Sequence, residues 1–116
     1  MEVEFGNVYF AEEVDENAIR GRIESRVGVL ADSKGWSYYG VSVKVQPTPY
    51  SGTADNMYGD NLEVTVRTFK GETYKSTLSG FRIFGEYTNL IGNVCPYYTW
   101  GDEHVLNFSK FEECRG

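Results

Sequence analysis

Apolar and polar residues alternate without interruption along Leu62-Glu63-Val64-Thr65-Val66-Arg67-Thr68. Successive side chains of a strand point to opposite faces, so Leu62, Val64 and Val66 share one face and Glu63, Thr65 and Arg67 the other. A polar break at Lys70-Gly71-Glu72 and a second strand-like run to Leu78 complete a hairpin with one buried and one wet side. Glu63 and Glu72 are a candidate facing pair of carboxylates. With Arg67 and Lys75 beside them they read as a charged outer sheet face.

Residues 16–34 follow a different period. Ile19, Ile23, Val27 and Leu30 recur at helical spacing and make one apolar stripe. Asp15 is placed to cap the free N–H groups of the first turn, with Val14 and Ile19 at the positions of a hydrophobic staple. Gly35 stands where a left-handed C-cap is expected. The pattern predicts a helix over Glu16–Lys34. On its other side Gly21, Ser25, Gly28 and Asp32 fall on one narrow face, at about 100° per residue. Glycine inside a helix costs roughly 0.5–1 kcal/mol relative to alanine. Gly21, Ser25 and Gly28 are therefore a candidate contact face for another chain or for a loop of this one.

Strands are predicted on either side of the helix. Glu2–Phe10 reads as a first strand, doubly buried or broken at Gly6. Trp36–Val45 reads as a second, ended by Pro47 and Pro49 because proline donates nothing to a ladder. Gln46–Asn61 is expected to be a long loop, Phe81–Tyr87 a strand, Thr88–Asp102 a second irregular stretch, and His104–Lys110 the last strand. The expected fold is α+β: an antiparallel sheet of about five to six strands packed on one N-terminal helix, in β-α-β-β-β-β order, with residues 1–116 as a single domain. Composition agrees. The chain holds 12 Val, 9 Tyr, 8 Thr and 7 Phe against 5 Leu and 4 Ala, the residue types that suit a pleated surface.

Charge is unevenly placed. The net charge is −6. Residues 1–16 carry Glu2, Glu4, Glu12, Glu13, Asp15 and Glu16 with no base, whereas residues 17–34 are net basic. Helix N-terminal placement is one account of the cluster at residues 12–16. A surface that steers toward a basic partner is another. Direct nucleic-acid binding is not expected, since phosphate neutralisation needs a basic patch. No apolar run is long enough to cross a membrane as a helix, and Met1-Glu2-Val3-Glu4 lacks the features of a signal peptide, so a cytoplasmic location is expected. Two cysteines, Cys95 and Cys114, are too few for a disulfide framework and wrongly spaced for zinc.

Catalytic chemistry finds little footing. His104 is the sole histidine, and a Cys95–His104–Asp102 nucleophile system rests on nothing but residue type. No catalytic residue, cofactor or metal ligand is nominated. Aromatic display is the better clue. Tyr50 and Tyr58 fall in one expected loop, and Tyr97, Tyr98 and Trp100 in the other. Tyrosine and tryptophan dominate binding hot spots. With Glu12, Glu13, Asp15 and Glu16 they make up the expected partner-binding set. The reading that follows is a small acidic non-enzymatic protein acting on another protein, such as an inhibitor or immunity factor of the kind phages and mobile elements encode. It would occlude a basic surface. Two other readings stand beside it: a homo-oligomeric structural or accessory subunit of virion type, and a small pocket enzyme or ligand-binding domain.

Overall fold

The computed structural model describes residues 1–49, 58–88, 91–92, 94–100 and 107–114, with the backbone alone at 49, 58–60, 84, 86, 87, 94–96 and 100. The fold is α+β, one helix with a mixed six-stranded sheet. In chain order the elements are β1 (Glu2–Phe5), β2 (Tyr9–Phe10), α1 (Glu16–Lys34), β3 (Val41–Pro49), β4 (Tyr58–Thr68), β5 (Thr73–Ser79), β6 (Phe81–Thr88), β7 (Val94–Trp100), β8 (Asn107–Phe108) and β9 (Glu112–Cys114). The larger sheet runs β1-β3-β4-β5, with β8 and β9 both on the far edge of β5. A smaller sheet runs β2-β7-β6. Most pairs are antiparallel, as expected, but β1 lies parallel to β3 and β2 parallel to β7.

The alternating run forms as its pattern requires. Leu62, Val64 and Val66 are fully buried, and Val66 lies opposite Tyr74 and Leu62 opposite Leu78. Helix α1 spans the predicted residues. Asp15 Oδ1 accepts from the N–H groups of Asn17 and Ala18 at 3.0 and 3.2 Å, and Gly35 closes the other end at φ 73°. Ile19, Ile23, Val27 and Ala31 are fully buried and Leu30 partly so. Ile19, Ile23 and Val27, with Leu30 packed against them, enter one cluster with Val43, Val45, Val64 and Val66, so the helix covers the inner face of the large sheet.

Several expectations need correction. The first strand is two strands: the chain breaks at Gly6-Asn7, where Asn7 takes φ 56°, and its halves join different sheets. The second strand begins at Val41 rather than Trp36, because Tyr38–Gly40 form a single 3-10 turn. It does not stop at Pro47. Pro47 pairs with Leu62 and Pro49 with Tyr58 across a register irregularity. Beyond Val45 no residue of β1 lies alongside β3, and proline is tolerated where one side of a strand is unpaired. The expected loop over Gln46–Asn61 is therefore sheet at both ends, and its centre, residues 50–57, lies outside the described residues. The stretch expected to be irregular over Thr88–Asp102 contains β7, the central strand of the small sheet. The last expected strand appears as the short β8 and β9, on either side of Ser109–Phe111.

One glycine turns the corner between sheets. Gly80, at φ 93°, sits between the last residue of β5 and the first of β6, a backbone that side chains rarely permit. The chain passes there from the large sheet to the small one, and Phe81 reaches the core at once. Phe10 packs edge-on to Phe5 at 5.3 Å and against Phe81 at 6.1 Å, and the Ala11 N–H donates to Tyr98 O at 2.6 Å. The small sheet thus closes the end of the core nearest the N-terminus of α1.

Candidate functional site

The acidic residues divide by role. Asp15 is spent on the helix cap, and Glu16 Oε1 lies 3.8 Å from Arg20 Nη2. Glu12 and Glu13 are exposed on the turn before the helix and make no ion pair among the described residues. This acidic set extends further than residues 12–16. A hollow of about 540 Å³ between β1 and α1 is lined by Met1, Glu2, Glu4, Glu16, Arg20 and Glu24 among others. Arg20 is the one cationic side chain among its lining residues. The guanidinium donates to Val3 O and stacks 4.9 Å from the Phe5 ring, so it ties the free side of β1 to the helix.

The expected aromatic loops fare differently. Tyr98 is 0% exposed and sits in the core at the centre of the small sheet, which removes it from any contact surface. Burial of Tyr98 follows from its inward position on a strand where a loop was expected. Tyr97 is half-buried against the core. Tyr50 lies outside the described residues. Tyr58 and Trp100 have described backbone only, in β4 and β7. Of the nominated helix face, Gly21 and Ser25 are exposed, but Gly28 is buried. Tyr38 covers it, with Oη 3.4 Å from Gly28 O and a second, 2.6 Å hydrogen bond to Asp32 Oδ1. The close neighbour of Gly28 is thus a residue of this chain. The hydrogen bond to Asp32, then burial, then the carboxylate's charge hold the Tyr38 phenol above its ordinary range.

The aromatic surface lies at the other end of the helix. Tyr39 is 98% exposed and Phe69 77% exposed. They come from separate segments, the turn before β3 and the end of β4, pinned together by the Phe69 N–H donating to Gly40 O at 2.8 Å. Phe69 lies so close over Gly40 that a Cβ there would stand 2.6 Å from Cδ1, so glycine is what lets the ring settle. A hollow of about 410 Å³ runs from these rings to Met1, Glu2, Val41 and Arg67. Lys70 Nζ stands 5.9 Å from the Phe69 centroid. Sequence reasoning missed this surface because Tyr38-Tyr39 were assigned to a strand and Phe69, just past the alternating run, was given no role. The available signal was an aromatic beside a turn that the alternation had placed on the wet side.

The outer face of the large sheet holds the largest of these hollows, about 670 Å³, lined by Glu4, Ser42, Lys44, Thr65, Arg67, Thr73, Lys75 and Cys114 among others. Glu63 does not face Glu72. It lies opposite Thr77 and pairs with Lys75 at 3.6 Å, while Glu72 belongs to the turn. Cys114 is a half-buried free thiol. No cluster of three metal-ligating side chains occurs among the described residues, and Asp102, Glu103 and His104 lie outside them. Among the described residues, no helix is long and apolar enough to cross a membrane.

Comparison of the chain with protein-family models, curated proteins and solved structures finds no match.

Proposed function

We propose that the protein is a non-enzymatic binding protein acting on another protein, with Tyr39 and Phe69 as its anchors and an acidic flank that favours a basic partner. The observation that carries this reading is continuity. Met1 and Glu2 line both the hollow beside Tyr39 and Phe69 and the acidic hollow between β1 and α1. Glu16 lines that acidic hollow and also the one beside Glu12. One strip of surface therefore leads from two exposed rings through Glu2 and Glu4 to Glu16 and Glu12. Large rings held on fixed backbone supply contact area with little rotamer loss, and a flank of like charge supplies on-rate and salt dependence. An inhibitor or immunity factor of mobile-element type, occluding a basic surface, uses such a surface.

The homo-oligomeric alternative drew on the glycine face of α1 and an exposed sheet edge; of that face, Tyr38 already occupies the space over Gly28, while Gly21 is open. The pocket alternative placed a cavity between helix and sheet, where Ile19, Ile23 and Val27 pack into one cluster with Val43, Val45, Val64 and Val66.

The test is affinity capture from the native host with three baits: wild type, Tyr39→Ser/Phe69→Ser, and Glu12→Lys/Glu13→Lys. The partner taken by wild type is then titrated against each purified bait. At least a tenfold loss with the aromatic variant is expected, together with a lower on-rate and weaker salt dependence for the charge-reversed one. Unchanged affinity for both variants refutes the proposal.

A further inference from the structure

We propose that the hollow beside Tyr9 and Tyr97, where the small sheet meets the start of α1, receives a lysine side chain of the basic partner. The inference rests on the partner reading above and adds the chemistry of one contact. The hollow holds about 380 Å³. Apolar and aromatic residues make up most of its lining, Val8, Tyr9, Phe10 and Tyr97 among them. Tyr9 and Tyr97 come from opposite ends of the chain and meet through the parallel pairing of β2 with β7. They are register partners, so their side chains leave the same face of the small sheet, from strands about 4.8 Å apart. The next pair in register takes the other face: Tyr98 is fully buried, and the Phe10 ring rests on Phe5 and Phe81. Val8, Tyr9 and Tyr97 are half-exposed, so a ligand can reach them. Gly85, opposite Tyr97 on β6, adds no side chain to that row, and a Cβ there would meet nothing described within 4 Å.

Charge selects the occupant of this groove. Glu12 and Glu16 are the charged residues among its described lining, and no base joins them. Glu12 is exposed and makes no ion pair among the described residues. Glu16 is shared with Arg20 at 3.8 Å, in a pair open to solvent. The positive end of α1 does not turn the hollow toward an anion, because Asp15 already accepts from the N–H groups of Asn17 and Ala18. A lysine lays its aliphatic stem along apolar surface and keeps its head at a polar rim. Aromatic rings attract a cation, and a carboxylate holds one. The ammonium is a compact point charge that one carboxylate meets from any direction, whereas guanidinium is a planar fork suited to paired acceptors. Glu12 is the one lining carboxylate without an ion pair among the described residues, which favours lysine.

The experiment is an amide chemical-shift titration of the full chain with acetyl-Ala-Lys-Ala-amide. It is repeated at matched ionic strength with the norleucine peptide, which keeps the stem and lacks the charge. Saturable shifts at residues 8, 9, 12, 16 and 97 are expected with the lysine peptide, and at least fivefold weaker binding with norleucine. Tyr9→Ser and Glu12→Gln should each weaken lysine-peptide binding at least threefold. Glu12→Gln should do so with an unchanged thermal midpoint, which separates loss of the site from loss of the fold. Glu113→Gln, which removes an exposed carboxylate on β9, should leave binding unchanged. Equal binding of the norleucine peptide, a Glu12→Gln chain that binds lysine as tightly as wild type, or shifts at residues 112 and 113 as large as those in the hollow would each overturn the proposal. The titration contains no partner, so its failure is read apart from that of the capture experiment. A partner lost by the Tyr39→Ser/Phe69→Ser bait, with no lysine-peptide shifts in the hollow, overturns this inference and leaves the partner reading standing.

Discussion

Replacing Arg20 by methionine tests how the first strand is held. The guanidinium makes three contacts at once: a hydrogen bond to Val3 O, a 3.8 Å approach to Glu16 and a 4.9 Å stack on Phe5. The hydrogen bond joins a charged donor to a backbone carbonyl in a part-buried position, where such bonds contribute about 1.5–3 kcal/mol. Water can reach the vacated carbonyl, which favours the lower end of that range. The ion pair spans one helical turn with both side chains a third or more exposed, and such pairs contribute roughly 0.3–0.5 kcal/mol. The cation–ring contact adds about 0.5–1 kcal/mol, and the methionine stem retains part of the packing. Together these give a loss of about 2–3 kcal/mol. For a domain between the usual small and medium sizes, a midpoint falls about 4 °C per kcal/mol, so thermal unfolding followed by circular dichroism should shift down by roughly 8–12 °C. Urea unfolding should show the same loss with an unchanged slope. Arg20→Lys should recover the ion pair but little else. A methionine variant within 0.5 kcal/mol of wild type, about the scatter of neutral surface changes, would refute the reasoning.

Gly21 is exposed with open space at its missing Cβ, so Gly21→Ala should stabilise the chain by about 0.5–1 kcal/mol in urea titration; a loss would revive a close neighbour on that face. Tyr98→Ala should cost about 3–5 kcal/mol, as a large ring removed from a filled core, and differential scanning calorimetry would expose a contact-surface role by showing no such loss. The Tyr38 phenol is raised in the folded state, so its contribution is fully present below the unfolded tyrosine range near 10 and is lost as pH rises through the higher folded value. Absorbance titration of tyrosinate, compared with Tyr38→Phe, should show the Tyr38 ring titrating late, and Asp32→Asn should lower it.

What could be read in advance was what local pattern controls. Leu62 to Thr68 and Glu16 to Lys34 each carry an uninterrupted period with caps or turns at the ends, and both formed over the expected residues. The misses have a common cause, which is pairing between distant segments. Val94–Trp100 carries a proline and a cysteine where alternation would be sought, and it is a strand because β6 and β2 flank it. Pro47 looked like a terminator, but a strand with one unpaired side has places for residues without an N–H. The acidic residues were placed correctly as exposed, while Tyr98 was not, because a tyrosine in an assumed loop gives no hint of which face it takes. Tyr39 and Phe69 were invisible as a pair because nothing local joins residues on segments thirty positions apart in sequence.

The pairing of β2 with β7 sets a schedule for biosynthesis. Tyr9 lies opposite Tyr97, 88 positions later in the chain. At about 5–20 residues per second, roughly 4–18 s pass between synthesis of the two strands. The local β4–β5 hairpin can close long before that. Phe10, whose native neighbours include Phe81, must wait in an unfinished chain with its ring uncovered. β2 is made well before the strand that secures it, so the interval between is when a chaperone has most to shield, and truncation within β7 should leave a chain that is made but not retained.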